Sequence, residues 1–425
     1  MSVKKRKNTG PFITAVDLGT SKICVVVAEM TDDGVDILSI TSSPSAGLRK
    51  GVVVDIESAA AAIRDALVAA RGQSGVSTRE ALVSISGNHI QVNLGMAAVS
   101  VSGRSVSQED VDKVIEAAGN APLIAGREII HVLPTDFIID GGRGIKDPIG
   151  IPGSRLEAKV NIITASSEPL KRLVLSCEKA GLQVADIVLQ SIASAEAALS
   201  AEDREMGTAL VDIGGGTTDI ALFKDGWLQH AMVLGIGGNH FTNDLSVGLS
   251  VPFTEAERIK RQFGTLNAED SGEEIDVVGV EGTADVVKKV SGKLAADIIH
   301  LRAEELLELV KKEINRLQGQ DAVTGAVFTG GGVLVPSFER FAETLLSMPV
   351  RMGYPDLTSG NISQSEVLVP LVTGVKDPFN SPEYAAGIGM VLYGAGFAAG
   401  RQGPSDTGLF TKMTDFLKNI MGRKK

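Results

Sequence analysis

A chain of 425 residues is too long for one small core and calls for two or more domains of ordinary size. Apolar residues make up 44% and charged ones 22%, which excludes a wholly disordered chain and describes a soluble globular body. The net charge of −11 speaks against a general nucleic-acid binder, whose signature is a basic face and a high pI, so nucleic acid is not an expected partner. Met1 to Gly10 carries Lys4, Lys5, Arg6 and Lys7 with no apolar segment of signal-peptide length behind it, so secretion is not expected. No apolar run reaches the roughly 18 residues that a membrane-spanning helix needs. Cys24 and Cys177 lie in apolar runs and read as reduced core residues rather than metal ligands or disulfide partners.

In chain order, Phe12 to Asp17, Lys22 to Glu29 and Val35 to Thr41 read as a three-stranded meander, joined by Leu18-Gly19-Thr20-Ser21 and Thr31-Asp32-Asp33-Gly34. A helix follows with Ile56, Ile63, Leu67 and Ala70 on one face and Gly72 as its expected end. Leu82 to Ser86, Gln91 to Val101, Glu128 to Asp140 and Arg155 to Ala165 are strand-like, and Gln108 to Gly119 reads as a helix capped by Ser107. Residues 86–163 are read as an inserted subdomain. The meander then returns: Thr208 to Ile213, Asp219 to Lys224 and Trp227 to Leu234, with a first turn of Gly214-Gly215-Gly216-Thr217-Thr218. Leu306, Leu307, Val310, Ile314 and Leu317 mark a long amphipathic helix ending at Gly319. A third turn, Thr329-Gly330-Gly331-Gly332, follows the strand Ala326 to Thr329 and precedes a helix expected near Pro336.

Asp17-Leu18-Gly19-Thr20-Ser21 and Asp212-Ile213-Gly214-Gly215-Gly216-Thr217 look like two copies of one motif, which implies two related α/β domains facing each other. Turns rich in glycine and hydroxyl groups let backbone N–H groups converge on an anion, and two of them can grip one polyphosphate. A single glycine-rich hairpin is equally consistent with an ordinary tight turn. Asp17 and Asp212, each at a strand end, suit a hydrated Mg²⁺ bridging phosphate oxygens, and Lys22 adds a cation to the first turn. The G-x-x-x-x-G-K-[ST] phosphate loop is absent, and Gly394-Ala395-Gly396 lacks the β-run and acid of a dinucleotide fold.

DLGTSK at 17–22, DIGGGTTD at 212–219 and TGGGVLVPSF at 329–338 resemble, in order and spacing, the phosphate 1, phosphate 2 and adenosine motifs of the actin, DnaK-type chaperone and sugar kinase superfamily. The resemblance implies a duplicated ribonuclease H-like α/β fold around a cleft for ATP and Mg²⁺. It extends to helices at Ser191 to Ala197 and Ala385 to Gly389, whose small residues suit a close crossing at an interdomain hinge; an alanine-rich core helix meets the same pattern. Glu257 and Lys260 match the E-x-x-K helix whose side chains reach the ribose, a spacing that also gives a plain i, i+3 ion pair. The nucleotide-contacting set implied by the resemblance is Asp17, Gly19, Thr20, Ser21, Lys22, Asp212, Gly214, Gly215, Gly216, Thr217, Thr218, Gly237, Gly238, Glu257, Lys260, Gly330, Gly331, Gly332 and Val333.

Within the superfamily, SISGNHIQVNLG, SQEDVDKVIEAA, EIIHVLPTDFIID and GIKDPIGIPGSRLEAKVNIIT, with the tail described next, resemble the FtsA family of actin-like bacterial cell-division proteins over residues 12–422. That likeness implies a first actin-like domain (1A) at 11–85 plus 164–200, a 1C-type subdomain at 86–163, a second domain (2A) at 201–239 plus 306–398, and subdomain 2B at 240–305. It also implies filament formation, docking of the FtsZ C-terminal peptide on 2B, contacts of 1C with later division proteins, and a peripheral place on the cytoplasmic face of the inner membrane at the septum. A sugar or acetate kinase of the same fold is the alternative, and would need a catalytic carboxylate at a substrate pocket. No residue is identified to aim a water at the γ-phosphate, so ATPase activity is left open.

After a linker at 399–407, residues 408–423 show a new periodicity. Leu409, Phe410, Met413, Phe416, Leu417, Ile420 and Met421 share one face, while Lys412, Lys418 and Arg423 lie on or beside the polar one. Thirteen helical residues rise only about 20 Å, so such a helix lies in an interface rather than crossing it. Anionic phospholipid is the expected partner; docking on the protein's own core is the other occupant of such a face.

Overall fold

The computed structural model describes residues 12–31, 34–101, 103–120, 124–272, 274–278, 287–317, 323–355, 371–373 and 379–398. Strands β1 (Phe12–Leu18), β2 (Lys22–Thr31) and β3 (Gly34–Pro44) form the first meander, with β1 antiparallel to β2 and β2 to β3. Cys24 to Ala28 are all buried, so β2 is covered on both faces and reads as an unbroken apolar run rather than an alternating one. The short ribbon β4 (Leu48–Arg49) and β5 (Val52–Val53) leads to α1 (Ile56–Ser74), which the Asp55 carboxylate caps by accepting from the Glu57 and Ser58 amides at 3.0 and 3.3 Å. The helix runs through Gly72 and stops at Gly75, whose φ of 73° is open to glycine and whose N–H returns to the Arg71 carbonyl. Strand β6 (Glu80–Ile85) then joins β1 in parallel.

The inserted unit comprises β7 (Gln91–Ser100), α2 (Gln108–Gly119), β8 (Arg127–Ile139), β9 (Gly142–Ile145) and β10 (Arg155–Ser166), in the sheet order β7-β10-β8-β9. Ser107 and Asp110 form a reciprocal capping box at the start of α2. The unit has its own core, in which Val111, Val114 and Ile115 of α2 meet Phe137, Leu156 and Ile162. Helix α3 (Ser167–Lys179) and β11 (Gln183–Leu189) return the chain to the first sheet.

Past α4 (Gln190–Ala198) and α5 (Ala201–Met206), the design repeats with β12 (Thr208–Ile213), β13 (Thr218–Lys224) and β14 (Trp227–Leu234). Then come α6 (Gly238–Leu249), α7 (Phe253–Phe263), the hairpin β15 (Glu274–Val278) and β16 (Val287–Ser291), and the long helix α8 (Gly292–Ile314). Strand β17 (Gly325–Thr329), α9 (Phe338–Leu346) and β18 (Val350–Met352) complete the second sheet. The last of the described elements are β19 (Leu371–Thr373) and α10 (Ala385–Ala398). The sheet orders β3-β2-β1-β6-β11 and β14-β13-β12-β17-β18 are the same arrangement twice, and the first carries β19 beside β3 as an extra edge. Among the described residues, no helix is long and apolar enough to cross a membrane.

One domain boundary that the family likeness implied differs in the structure. Residues 306–398 were grouped with the second domain, yet β19 pairs with β3, and Ala385, Ile388, Met390 and Val391 of α10 are buried in the core that holds β1 and β2. The last segment therefore crosses back, because the free apolar face of the first sheet needs a cover that its own helices α1 and α3 do not supply. Helices α4 and α10 cross at Gly389, where any side chain would collide with the Ala193 backbone carbonyl. The insert also bridges the domains. Asn161 on β10 donates to the Leu228 and Gln229 carbonyls of β14 at 2.7 and 3.1 Å, and Trp227 stacks edge-on against Phe137 at 6.1 Å.

Candidate functional site

The two glycine hairpins face each other across the cleft between the sheets. Each arises where an antiparallel pair must reverse in a few residues: β1 to β2 through Gly19, and β12 to β13 through Gly214 to Thr217, closed by the Gly214 N–H on the Thr217 carbonyl at 2.9 Å. They touch so closely that a side chain on Gly215 would overlap the Ser21 hydroxyl, and one on Gly216 would meet the Thr20 hydroxyl at 2.6 Å. The start of α6 docks beneath the second turn, with the Gly238 and Asn239 amides donating to the Gly214 and Gly215 carbonyls at 2.9 and 2.7 Å. The Ser21 hydroxyl reaches Asn239 Oδ1 at 3.2 Å. The third turn is equally cramped: Gly330 has φ 87°, and a side chain there would strike the Asp212 carboxylate and the Ile213 carbonyl.

These turns wall a cavity of about 360 Å³, within the range of small-molecule pockets. Asp17, Gly19, Thr20, Ser21, Lys22, Asp212, Gly214, Gly215, Gly238, Glu257, Lys260, Gly330, Gly331 and Gly332 all line it. The other five residues of the implied set do not line this cavity. Gly216 packs on Thr20, Gly237 on the Gly214 carbonyl, and Val333 is in the second domain's core. The Thr218 hydroxyl is spent on the Ile236 carbonyl at 2.8 Å, and Thr217 is buried against Ser86.

Sequence reading passed over Gln190, Asn239, Arg261 and Glu383, which also line the cavity, and Ser84, Ser86 and Ser194, which brace its floor. Ser84 donates to Asp17 Oδ1 at 2.8 Å while accepting from the Leu18 amide, and Ser194 and Gln190 donate to Asp212 Oδ2 at 2.5 and 3.2 Å. Burial raises the Asp17 carboxyl above its ordinary value, against the lowering by Ser84 and Lys22. Burial likewise pushes Asp212 up to about 6 despite the Ser194 hydroxyl, and the charge of Asp17 acts in the same direction. Asp219 is driven well above the usual carboxylate range by burial and then by Asp212. Carboxylates so placed favour a cation between them and an incoming anion. Among the described residues no cluster of three or more ligating side chains is present. Two buried carboxylates beside an anion cradle fit a metal ion that is held through water and phosphate oxygens rather than by a protein cage.

At the other end of the cavity, Glu257 pairs with Lys260 at 2.6 Å and with Arg261 at 2.7 Å, and Lys260 Nζ also donates to the Gly238 carbonyl at 3.1 Å. Burial lowers the Lys260 ammonium, partly offset by Glu257. The pair is thus a fixed part of the wall rather than a loose surface contact. The tail residues Leu409, Phe410, Lys412, Met413, Phe416, Leu417, Lys418, Ile420, Met421 and Arg423 lie outside the described residues.

Comparison with known proteins bears on both the fold and the insert. The family described as "Cell division protein FtsA" matches residues 209–389, and "SHS2 domain inserted in FTSA" matches residues 87–164. The cell division protein FtsA of Pseudomonas aeruginosa is 35% identical over 390 residues, covering 91% of this chain and 90% of its own. That of Bacillus subtilis is 36% identical over 389 residues, covering 91% and 84%. Among solved structures, one titled "PilM-PilN type IV pilus biogenesis complex" superposes with a TM-score of 0.63 at 14% identity, over 91% of this chain and 99% of that one, a likeness of fold alone. The duplicated sheets have the actin-like arrangement, and the inserted domain stands where the family carries it. The chain belongs to the cell division protein FtsA family.

Proposed function

We propose that the protein binds ATP with Mg²⁺ in the cleft between its two actin-like domains, assembles head to tail into filaments, and tethers FtsZ polymers to the cytoplasmic face of the inner membrane at the septum. The observation that carries this reading is the apposition of two Asp-headed glycine turns, Ser21 against Gly215, around one cavity. Backbone amides of the turns take the phosphates, Asp17 and Asp212 hold the hydrated metal ion, Glu257 and Lys260 take the ribose, and Gly330 to Gly332 leave room for the base. Nucleotide acts as a conformational ligand: it bridges both turns and so favours one angle between the domains over others. FtsZ would dock its C-terminal peptide on residues 240–305, later division proteins would meet the insert, and the tail at 408–423 would bind anionic phospholipid. A single short amphipathic helix binds weakly, so assembly raises the effective concentration of tails and couples polymerisation to attachment.

The test is co-sedimentation of FtsZ with anionic vesicles, with and without this protein and ATP, using the full chain and one ending at Gly400. Recruitment that needs both the protein and the tail is expected; equal recovery with the shortened chain would remove the anchor. Asp212→Ala and Gly215→Val should each weaken ATP binding roughly tenfold or more, because one removes a buried carboxylate and the other fills the cradle. Unchanged affinity in both would displace the nucleotide from this cleft.

A further inference from the structure

The cavity holds a carboxylate that a phosphate site does not need. Four acids line it, Asp17, Asp212, Glu257 and Glu383, against three cations, Lys22, Lys260 and Arg261. Lys260 is held by Glu257 and the Gly238 carbonyl, and Arg261 by Glu257, while Lys22, the first residue after the Ser21 turn, is the cation on the first hairpin. Its ammonium is already engaged: Nζ donates to Glu383 Oε2 at 2.7 Å and lies 3.8 Å from the centre of the Tyr384 ring. Glu383 stands on a braced pedestal. The preceding Pro382 carbonyl accepts from the Gly330 amide at 3.1 Å and the Thr329 hydroxyl at 3.0 Å, while Tyr384 is buried edge-on against Phe379 at 5.1 Å. The pair remains partly wet, with Lys22 at 23% and Glu383 at 31% exposure, so it is exchangeable.

We propose that Glu383 is a positioning and specificity-determining residue: it serves as a resident counter-anion that keeps Lys22 aimed into the cleft until a phosphate of the ligand takes its place. The inference rests on the nucleotide reading above. A polyphosphate brings several negative charges to the ammonium where the partly exposed carboxylate brings one, so the exchange runs toward the ligand. The displaced Glu383 then faces the phosphates and weakens their hold. The consequence is a site that takes up a polyphosphate yet lets it go, with the cost falling on ligands that reach Lys22 and not on those that fill only the sugar and base end. Because α10 begins at Ala385, two residues beyond Glu383, the exchange is felt where that helix enters the interdomain crossing.

The experiment is a double-mutant cycle on the full chain with Glu383→Gln, Lys22→Met and the pair together, measuring binding of Mg·ATP and of adenosine. Glu383→Gln should tighten ATP roughly two- to fivefold and slow its release, leave adenosine unchanged, and lose most of its effect in the Lys22→Met background. Adenosine binding reports that each variant retains a folded cleft. An ATP-to-adenosine affinity ratio unmoved by Glu383→Gln, or a gain equally large without Lys22, overturns the inference while leaving the nucleotide reading in place. Absence of ATP binding by the unaltered chain removes both.

Discussion

His131 shows how much one residue can join. It sits on β8 of the insert, is 2% exposed, accepts a hydrogen bond from the Leu189 amide on Nε2 at 3.1 Å, and meets the Tyr393 ring of α10 at 6.2 Å. One imidazole therefore touches the insert, the residue that opens α4, and the helix that α4 crosses. Burial lowers its pKa to about 4 from an ordinary value of 6.5. Above 6.5 both folded and unfolded chains hold it neutral; as pH falls from 6.5 toward 4, only the unfolded chain takes up the proton, so stability falls over that window. Between pH 7.5 and 5.5 the loss is about 1.4 kcal/mol for this group alone. Asp186, raised to about 6 by burial, works in the opposite sense, being protonated in the folded chain first. The comparison to make is thus between His131 and a variant, not between two pH values of one chain. His131→Gln keeps an acceptor for the Leu189 amide without the titration, and its melting temperature should drop less than that of the unaltered chain between those two pH values. Equal drops would mean that this histidine is charged in the folded state.

At the scale of elements, the crossing of α4 and α10 is the joint on which the two domains are hung. Each helix lies on the sheet of a different domain, α4 on β12 and β13, α10 on β1 and β2. Gly387 packs over Cys24 and Val26, and Gly389 leaves no room beside the Ala193 carbonyl. Gly389→Val has to push the helices apart and should destabilise the protein by about 1–3 kcal/mol, as overpacking of a tight core does. Thermal melts with and without ATP are the measure, and a variant that melts and responds to ATP like the original would mean that the crossing is looser than its geometry. These elements were also the most legible in sequence: the small residues at 191–197 and 385–389 announced a close crossing, and the repeat of Asp17-Leu18-Gly19 in Asp212-Ile213-Gly214 announced paired hairpins. Less legible was anything set by which element lies beside which. Ser84 reaches Asp17 only because β6 runs parallel to β1, and Gln190 reaches Asp212 only because α4 lies across β12. The end of α1 was misplaced for a local reason: Gly72 and Gly75 both offer a stop, and only the backbone shows that Gly75 takes the left-handed conformation.

At the scale of the molecule, the cleft and the insert are two fastenings between the same bodies. The first and second domains meet at the α4 and α10 crossing and at the hairpin turns, and the insert adds a clasp on the outer edge of the second sheet. That clasp consists of Asn161 on the β14 carbonyls, Trp227 against Phe137, and Lys146 paired with Glu205 at 2.5 Å. A change of angle produced by a ligand in the cleft must therefore either bend the insert or slip it along β14. The hydrogen bonds from Asn161 resist slipping: its amide is buried, and removing it leaves two carbonyls to find new partners at a cost of about 1–3 kcal/mol. ATP should thus change amide exchange in β10 and β14 as well as in the hairpins of the unaltered chain. Asn161→Ala combined with Trp227→Ala and Lys146→Ala should keep the change at the hairpins and lose it in β10, since all three contacts of the clasp are then gone. Hydrogen exchange read by mass spectrometry, with and without ATP, separates these outcomes. If ATP alters exchange in β10 equally in both chains, the insert responds through its roots at β6 and α3, and the clasp is a static contact.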